Sequence, residues 1–111
     1  MGVVANLTIP ALPAATVVTD LYIVPQRRRA NAKLWVANQS AADSWRLAVS
    51  PLGVALDPSH YMIFDEPLSA SGTVACSDER QGIHLQALDV LRVRSTNGTT
   101  SFVLSVYEED A

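Results

Sequence analysis

The strongest constraint in this chain is a period-two alternation of apolar and polar side chains, cut at short intervals by turn residues. In residues 90–95, Leu91 and Val93 fall on one side and Arg92 and Arg94 on the other. Asn97-Gly98 follows, a pair that readily supplies the φ > 0 positions of a tight hairpin turn. Residues 101–107 then set Phe102, Leu104 and Val106 against Ser101, Val103, Ser105 and Tyr107. Neighbours at i and i+2 share a face only in an extended strand, and no segment carries a convincing helical period.

The same pattern recurs upstream. Residues 16–24 read as a strand stopped by Pro25, and 30–38 as a second ending in Asn38-Gln39-Ser40. After a turn through 41–44, Trp45, Leu47 and Val49 alternate with Arg46 and Ala48. Pro51-Leu52-Gly53 turns the chain, and Asp57-Pro58-Ser59 marks a longer connection into a strand at 61–65, closed by Pro67. Strands at 73–77 and 83–85 flank a polar loop at 78–82. About eight short strands at this spacing predict an all-β fold: a single antiparallel β-sandwich, jelly-roll or Greek-key-like. Residues 1–14 have no period, and Pro10 and Pro13 favour an extended course. They are expected to form an N-terminal arm on a domain spanning 15–111, and Val3, Val4, Leu7 and Ile9 are apolar enough to dock on something.

A chain of 111 residues, 49% hydrophobic and 17% charged, has the material for one packed core. A net charge of -3 argues against nucleic acid as a direct partner, because neutralising phosphates needs a Lys/Arg excess. No apolar run has bilayer-spanning length, and the N-terminus lacks the basic region of an export signal, so neither a membrane nor secretion is expected. Cys76 is the only cysteine, which suits a reducing cytoplasm and reads as a small core hydrophobe.

Chemistry-bearing motifs are scarce. The histidines, His60 and His84, stand far apart, so neither a metal site nor a cofactor site is predicted. Asp57-Pro58-Ser59-His60 brings an acid, a hydroxyl and an imidazole together, but catalytic triads converge in space rather than along a few consecutive residues. A turn-forming Asp-Pro pair explains the run, and no catalytic residue is predicted. The candidates for partner contact lie elsewhere. Arg27, Arg28 and Arg29 follow Pro25 at a turn, where guanidinium forks could meet carboxylates, Glu108, Glu109 and Asp110 among them. Trp35, Tyr61 and Tyr107 fall on the outer side of the alternation, where a two-layer sandwich leaves them uncovered. Trp45 is expected in the core.

Four segments together carry a resemblance: Leu21-Tyr22-Ile23-Val24-Pro25, Val36-Ala37-Asn38-Gln39-Ser40, Trp45-Arg46-Leu47-Ala48-Val49-Ser50-Pro51 and His60-Tyr61-Met62-Ile63-Phe64-Asp65. With Asp89-Val90-Leu91-Arg92-Val93, they resemble a family of small β-sandwich accessory proteins in the virions of tailed bacteriophages. The likeness runs from about residue 16 to 107. It departs after Pro25, where the family commonly has Ala-Gly with one basic residue and this chain has Gln26 and three arginines. The resemblance implies a virion structural protein made in the host cytoplasm, not an enzyme. It implies a homo-oligomer, with a trimer as the expected number, which decorates or cements a capsid by contacting other virion proteins such as the major capsid protein. The alternative is a tail, baseplate, fibre or spike component that binds a receptor or carbohydrate, with Trp35, Trp45 or Tyr61 stacking on sugar rings.

Overall fold

The computed structural model describes residues 3–75 and 82–110, with the side chains of 3–5 and 73–75 outside that description. Among the described residues, nine strands form two antiparallel sheets: β1 (Val3–Ala11), β2 (Thr19–Ile23), β3 (Arg28–Asn38), β4 (Asp43–Ser50), β5 (Tyr61–Leu68), β6 (Thr73–Ala75), β7 (Ile83–Leu85), β8 (Val90–Ser95) and β9 (Thr100–Asp110). The first sheet runs β1-β9-β3, with β6 and β7 sharing the far edge of β3, and the second runs β2-β8-β4-β5. This is the all-β sandwich expected from the alternation. The ninth strand comes from the N-terminal segment, whose residues 3–11 run antiparallel along β9. Pro10 falls in this edge strand, a position where proline is tolerated. Cys76 and residues 78–81 of the expected polar loop lie outside the described residues.

The alternation sorts side chains as a sandwich requires. Ala30, Ala32, Leu34 and Val36 of β3 and Phe102, Leu104 and Val106 of β9 are buried from one layer. Trp45 and Leu47 of β4 and Leu91 and Val93 of β8 meet them from the other. The Trp45 and Phe102 rings cross the interlayer space edge to face, centroids 6.0 Å apart. The indole Nε1–H of Trp45 is buried without an acceptor among the described residues.

Asn97-Gly98 does not close a hairpin. Gly98 has φ +75°, as the dipeptide predicts, and a β-carbon there would lie 2.9 Å from the Ala15 nitrogen. Yet β8 pairs with β2 and β4 while β9 pairs with β1 and β3, so the turn carries the chain from one layer to the other. The physical reason is that Leu91 and Val93 of β8 and Phe102 and Leu104 of β9 bury in one core between the layers, and the Asp43 carboxylate fixes the crossing. It accepts hydrogen bonds from the Ser95 hydroxyl at 2.5 Å, the Thr100 hydroxyl at 2.6 Å and the Ser44 and Asn97 backbone N–H groups at 2.8 and 2.9 Å. One side chain thus holds the start of β4, the end of β8 and the start of β9 together at the crossing. Asn38 braces the same corner, its amide donating to the carbonyls of Ala41 and Ser69.

The opposite end of the sandwich has its own buried carboxylate. Glu108 of β9, 3% exposed, accepts from the Tyr22 hydroxyl of β2 and from Arg28 Nη1 at 3.1 Å. Burial and the Glu108 carboxylate push the Tyr22 phenol well above its ordinary value, so it remains a donor throughout the usable pH range. Each end is therefore cross-linked between layers by an acid on one sheet and donors on both.

Two outcomes follow. Burial alone would raise the Asp43 pKa, but the bonds from Ser95, Thr100, Asn97 and Ser44 outweigh it and hold the carboxyl below the ordinary aspartate value. A group with a depressed folded pKa stabilises fully above its unfolded value of about 3.9, and that stability is lost as pH falls through the folded value. Asp43→Asn should lower the unfolding free energy at neutral pH by about 3 kcal/mol. It should also flatten the loss of stability below about pH 4, both read by urea denaturation across pH. Glu108→Ala, which leaves Arg28 and Tyr22 without their acceptor, should cost about 3 kcal/mol in the same assay.

Candidate functional site

Each sheet hides one face against the other and leaves one outward. On the second sheet, Arg46 of β4 stands directly opposite Arg94 of β8, with Arg92 two residues along. Adjacent guanidiniums repel unless acids intervene, and here they do. Arg46 grips Asp65 with Nε at 2.6 Å from Oδ1 and Nη2 at 3.2 Å from Oδ2, and Arg94 Nη1 lies 3.9 Å from the same carboxylate. Arg92 donates to Asp20 at 2.8 Å and to the Ser50 hydroxyl at 2.7 Å. The Arg46 guanidinium also lies 4.0 Å from the Phe64 ring centroid and 5.7 Å from that of Tyr61. The Tyr61 and Phe64 rings meet edge to face at 5.0 Å.

Strict alternation would put Tyr61 and Phe64 on opposite sides of β5. They share a face because the β4–β5 register slips between Leu47 and Ala48, opposite residues 61–63; a second slip, between Trp45 and Leu47, falls opposite residues 63–66. Asp65, at φ +53°, is part of this irregular stretch, and bulges of this kind are typical of edge strands. The face that results is rich in arginine and aromatic groups, with Phe64 and Met62 each 58% exposed and Val54 beside Arg92.

The outer face of the first sheet is built differently. Arg29, Asn31, Lys33 and Trp35 of β3 lie beside Glu109, Tyr107, Ser105 and Val103 of β9, pair by pair. Trp35 and Tyr107 are 48% and 52% exposed. Between them is a depression of about 260 Å³ lined by Asn31, Lys33, Trp35, Ser105 and Tyr107. It adjoins a second of about 430 Å³, lined in part by Arg29, Asn31, His84, Gln86 and Glu109.

The residues singled out from sequence are thus dispersed. Trp35 and Tyr107 share the first sheet's outer face, and Tyr61 lies half-buried on the second's. Arg27 is exposed in a left-handed turn at φ +65°, but Arg28 and Arg29 bond to Glu108 and Glu109 of the same chain. Leu7 and Ile9 stand opposite Val106 and Leu104, on the core side of β9, with Ile9 packed against the core. The side chains of Val3 and Val4 lie outside the described residues. Sequence reasoning missed Arg46, Phe64 and Asp65 as one constellation. Arg46 between Trp45 and Leu47 was the available signal for an outward cation, but its partners depend on the slipped register.

His60 is held by the Ser50 hydroxyl at 3.0 Å and the Asp57 N–H at 3.1 Å, both on Nδ1, while the Asp57 carboxylate accepts from Ser59. Ser50 is fully buried and also bound by Arg92, so the pair braces the turn into β5 and presents no nucleophile to solvent. Among the described residues, no three His, Cys, Asp or Glu side chains gather closely enough to hold a metal ion.

No protein-family model and no curated protein matches the chain. Among solved structures it is similar to a chain of the capsid of Ralstonia phage GP4, at 14% identity and a TM-score of 0.48, over 96% of this chain and 83% of that one.

The Arg46 guanidinium holds the Asp65 carboxyl below the ordinary aspartate range. Arg46→Ala should therefore move the Asp65 titration upward toward that of a free aspartate, as followed by carboxyl-carbon NMR.

Proposed function

We propose that this chain is a structural component of a tailed-bacteriophage particle, a capsid decoration or cement protein acting through contacts between copies of itself and with other virion proteins. The motif pattern from Tyr22-Ile23-Val24-Pro25 to Asp89-Val90-Leu91-Arg92-Val93 supports the phage assignment. The observation that carries the contact role is the outer face of the second sheet. Arginine, tyrosine, phenylalanine and methionine are the residues enriched where protein surfaces meet, and Arg46, Arg92, Tyr61, Phe64 and Met62 are gathered there. The ion pairs to Asp65 and Asp20 already fix the arginines, so docking would order few further side chains. Burying Phe64, Met62 and Val54 would supply the apolar gain, at roughly 25 cal/mol per Å², while the surrounding charges set orientation.

The test is assembly. Sedimentation velocity of the wild-type chain should give a homo-oligomer, three copies being the expected number, and the chain should co-sediment with procapsids. Phe64→Asp should return it to monomer with an unchanged β-sheet circular dichroism spectrum. A wild-type monomer that binds neither procapsids nor tails would overturn the reading.

A further inference from the structure

The outer face of the first sheet does not repeat the pattern of the second. On the second sheet the exposed rings are already occupied, Phe64 lying under Arg46 and Tyr61 against Phe64. Trp35 and Tyr107 have no ring or cation partner among the described residues, and about half of each is open. Tyr107 opposes Asn31, four residues along β3 from Trp35, so the two rings are offset by about 13 Å along the strands. Asn31, Lys33 and Ser105 lie between them, and His84 and Gln86 line the adjoining depression. No hydrogen bond among the described residues engages the side chains of Asn31, Ser105, His84 and Gln86, and neutral donors and acceptors are what a hydroxyl-rich ligand needs.

We propose that this groove binds a neutral oligosaccharide, with pyranose rings stacked on Trp35 and Tyr107 and sugar hydroxyls hydrogen-bonded to Asn31, Ser105, His84 and Gln86. The flat rings face solvent across an open, polar floor, which suits a ligand that is apolar on its faces and polar on its rim. A nucleic acid strand could also stack on aromatic groups, but it needs a basic track. Here Arg29 is paired with Glu109 at 3.1 Å, and the chain is acidic. Gly82 packs closely on the Asn31 side chain: at φ +73°, a β-carbon on it would lie 2.5 Å from the Asn31 Oδ1. The proposal does not depend on the contact role of the second sheet, which uses other residues on the opposite side of the sandwich.

The two tryptophans make the test direct, because Trp35 is exposed and Trp45 fully buried. In ¹⁵N-labelled protein, the two indole N–H signals are followed as cellotetraose, maltotetraose, chitotetraose and mannotetraose are added in turn to millimolar concentration. At least one tetrasaccharide should shift the Trp35 signal saturably and leave that of Trp45 in place. Tyr107→Ala should weaken that binding by about tenfold, the loss of one stacking platform. Trp35→Ala, read by the backbone signals of Asn31 and Ser105, should do the same, with spectral dispersion confirming that both variants fold. Phe64→Asp should bind as wild type does. The proposal is overturned if no tetrasaccharide moves the Trp35 signal or if both groove variants bind unchanged. An eight-residue oligothymidylate moving that signal when the sugars do not would overturn it too, as would broadening with protein concentration alone, which would mark the face as a self-contact.

Discussion

Two stacked sheets are joined along their apolar faces, but at the ends of the stack polar backbone must leave one layer and enter the other. Any unpaired group there that is shielded from water costs about as much as a lost hydrogen bond. In this protein the cost is met at one end by the Asp43 carboxylate, 6% exposed and surrounded by donors from β4, β8 and β9. Charge makes these bonds about twice as strong as neutral ones. It also makes the arrangement brittle, since a buried acid stripped of its donors is worse than none. Glu108 does the corresponding work at the far end, with Tyr22 from the other layer. The apolar core lies between them, from Trp45 and Phe102 outward.

The layering has consequences for the surfaces. Because β8 and β9 lie in different layers, with Asp43 bridging their ends, each of the two strands with the clearest alternation presents its polar side to a different exterior. The side of β8 bearing Arg92 and Arg94 joins Arg46 and the aromatic rings of β5 on one outer face. The side of β9 bearing Val103, Ser105 and Tyr107 joins Trp35 and Asn31 on the other. A hairpin at Asn97-Gly98 would have placed Arg94 and Tyr107 on one sheet. The separation yields one exterior where cations, acids and rings satisfy one another, and a second where the Arg29–Glu109 pair and Lys33 stand beside open rings and neutral polar groups.

Much of this was legible before folding. The burial of Phe102, Leu104, Val106, Leu91 and Val93, the exposure of Trp35 and Tyr107, and the place of Trp45 in the core all follow from a period of two, which depends only on the backbone being extended. The acidic stretch at Glu108-Glu109-Asp110 was readable as a mate for the arginines after Pro25, because both are short runs of opposite charge. Three things were not legible. Glycine at position 98 demands a left-handed backbone in either kind of turn, so it could not distinguish a hairpin from a crossing. The pairing of Tyr61 with Phe64 depends on the register slip opposite residues 61–63, and a slip changes the face of every residue beyond it. The use of residues 3–11 as an edge strand rests on the free edge of β9, which exists only once β9 has found β3.

The division therefore follows the range of the forces involved. Steric preference and the spacing of apolar side chains act between near neighbours, and they suffice for strands, for their inward and outward sides, and for an all-β architecture. Which strands lie side by side, and so which outward residues become neighbours, is decided by contacts between residues far apart in the chain, Asp43 with Thr100 and Arg28 with Glu108 among them. Both candidate surfaces are products of that second stage. Arg46 meets Phe64, and Trp35 comes to share a groove with Tyr107, only after the layers have closed.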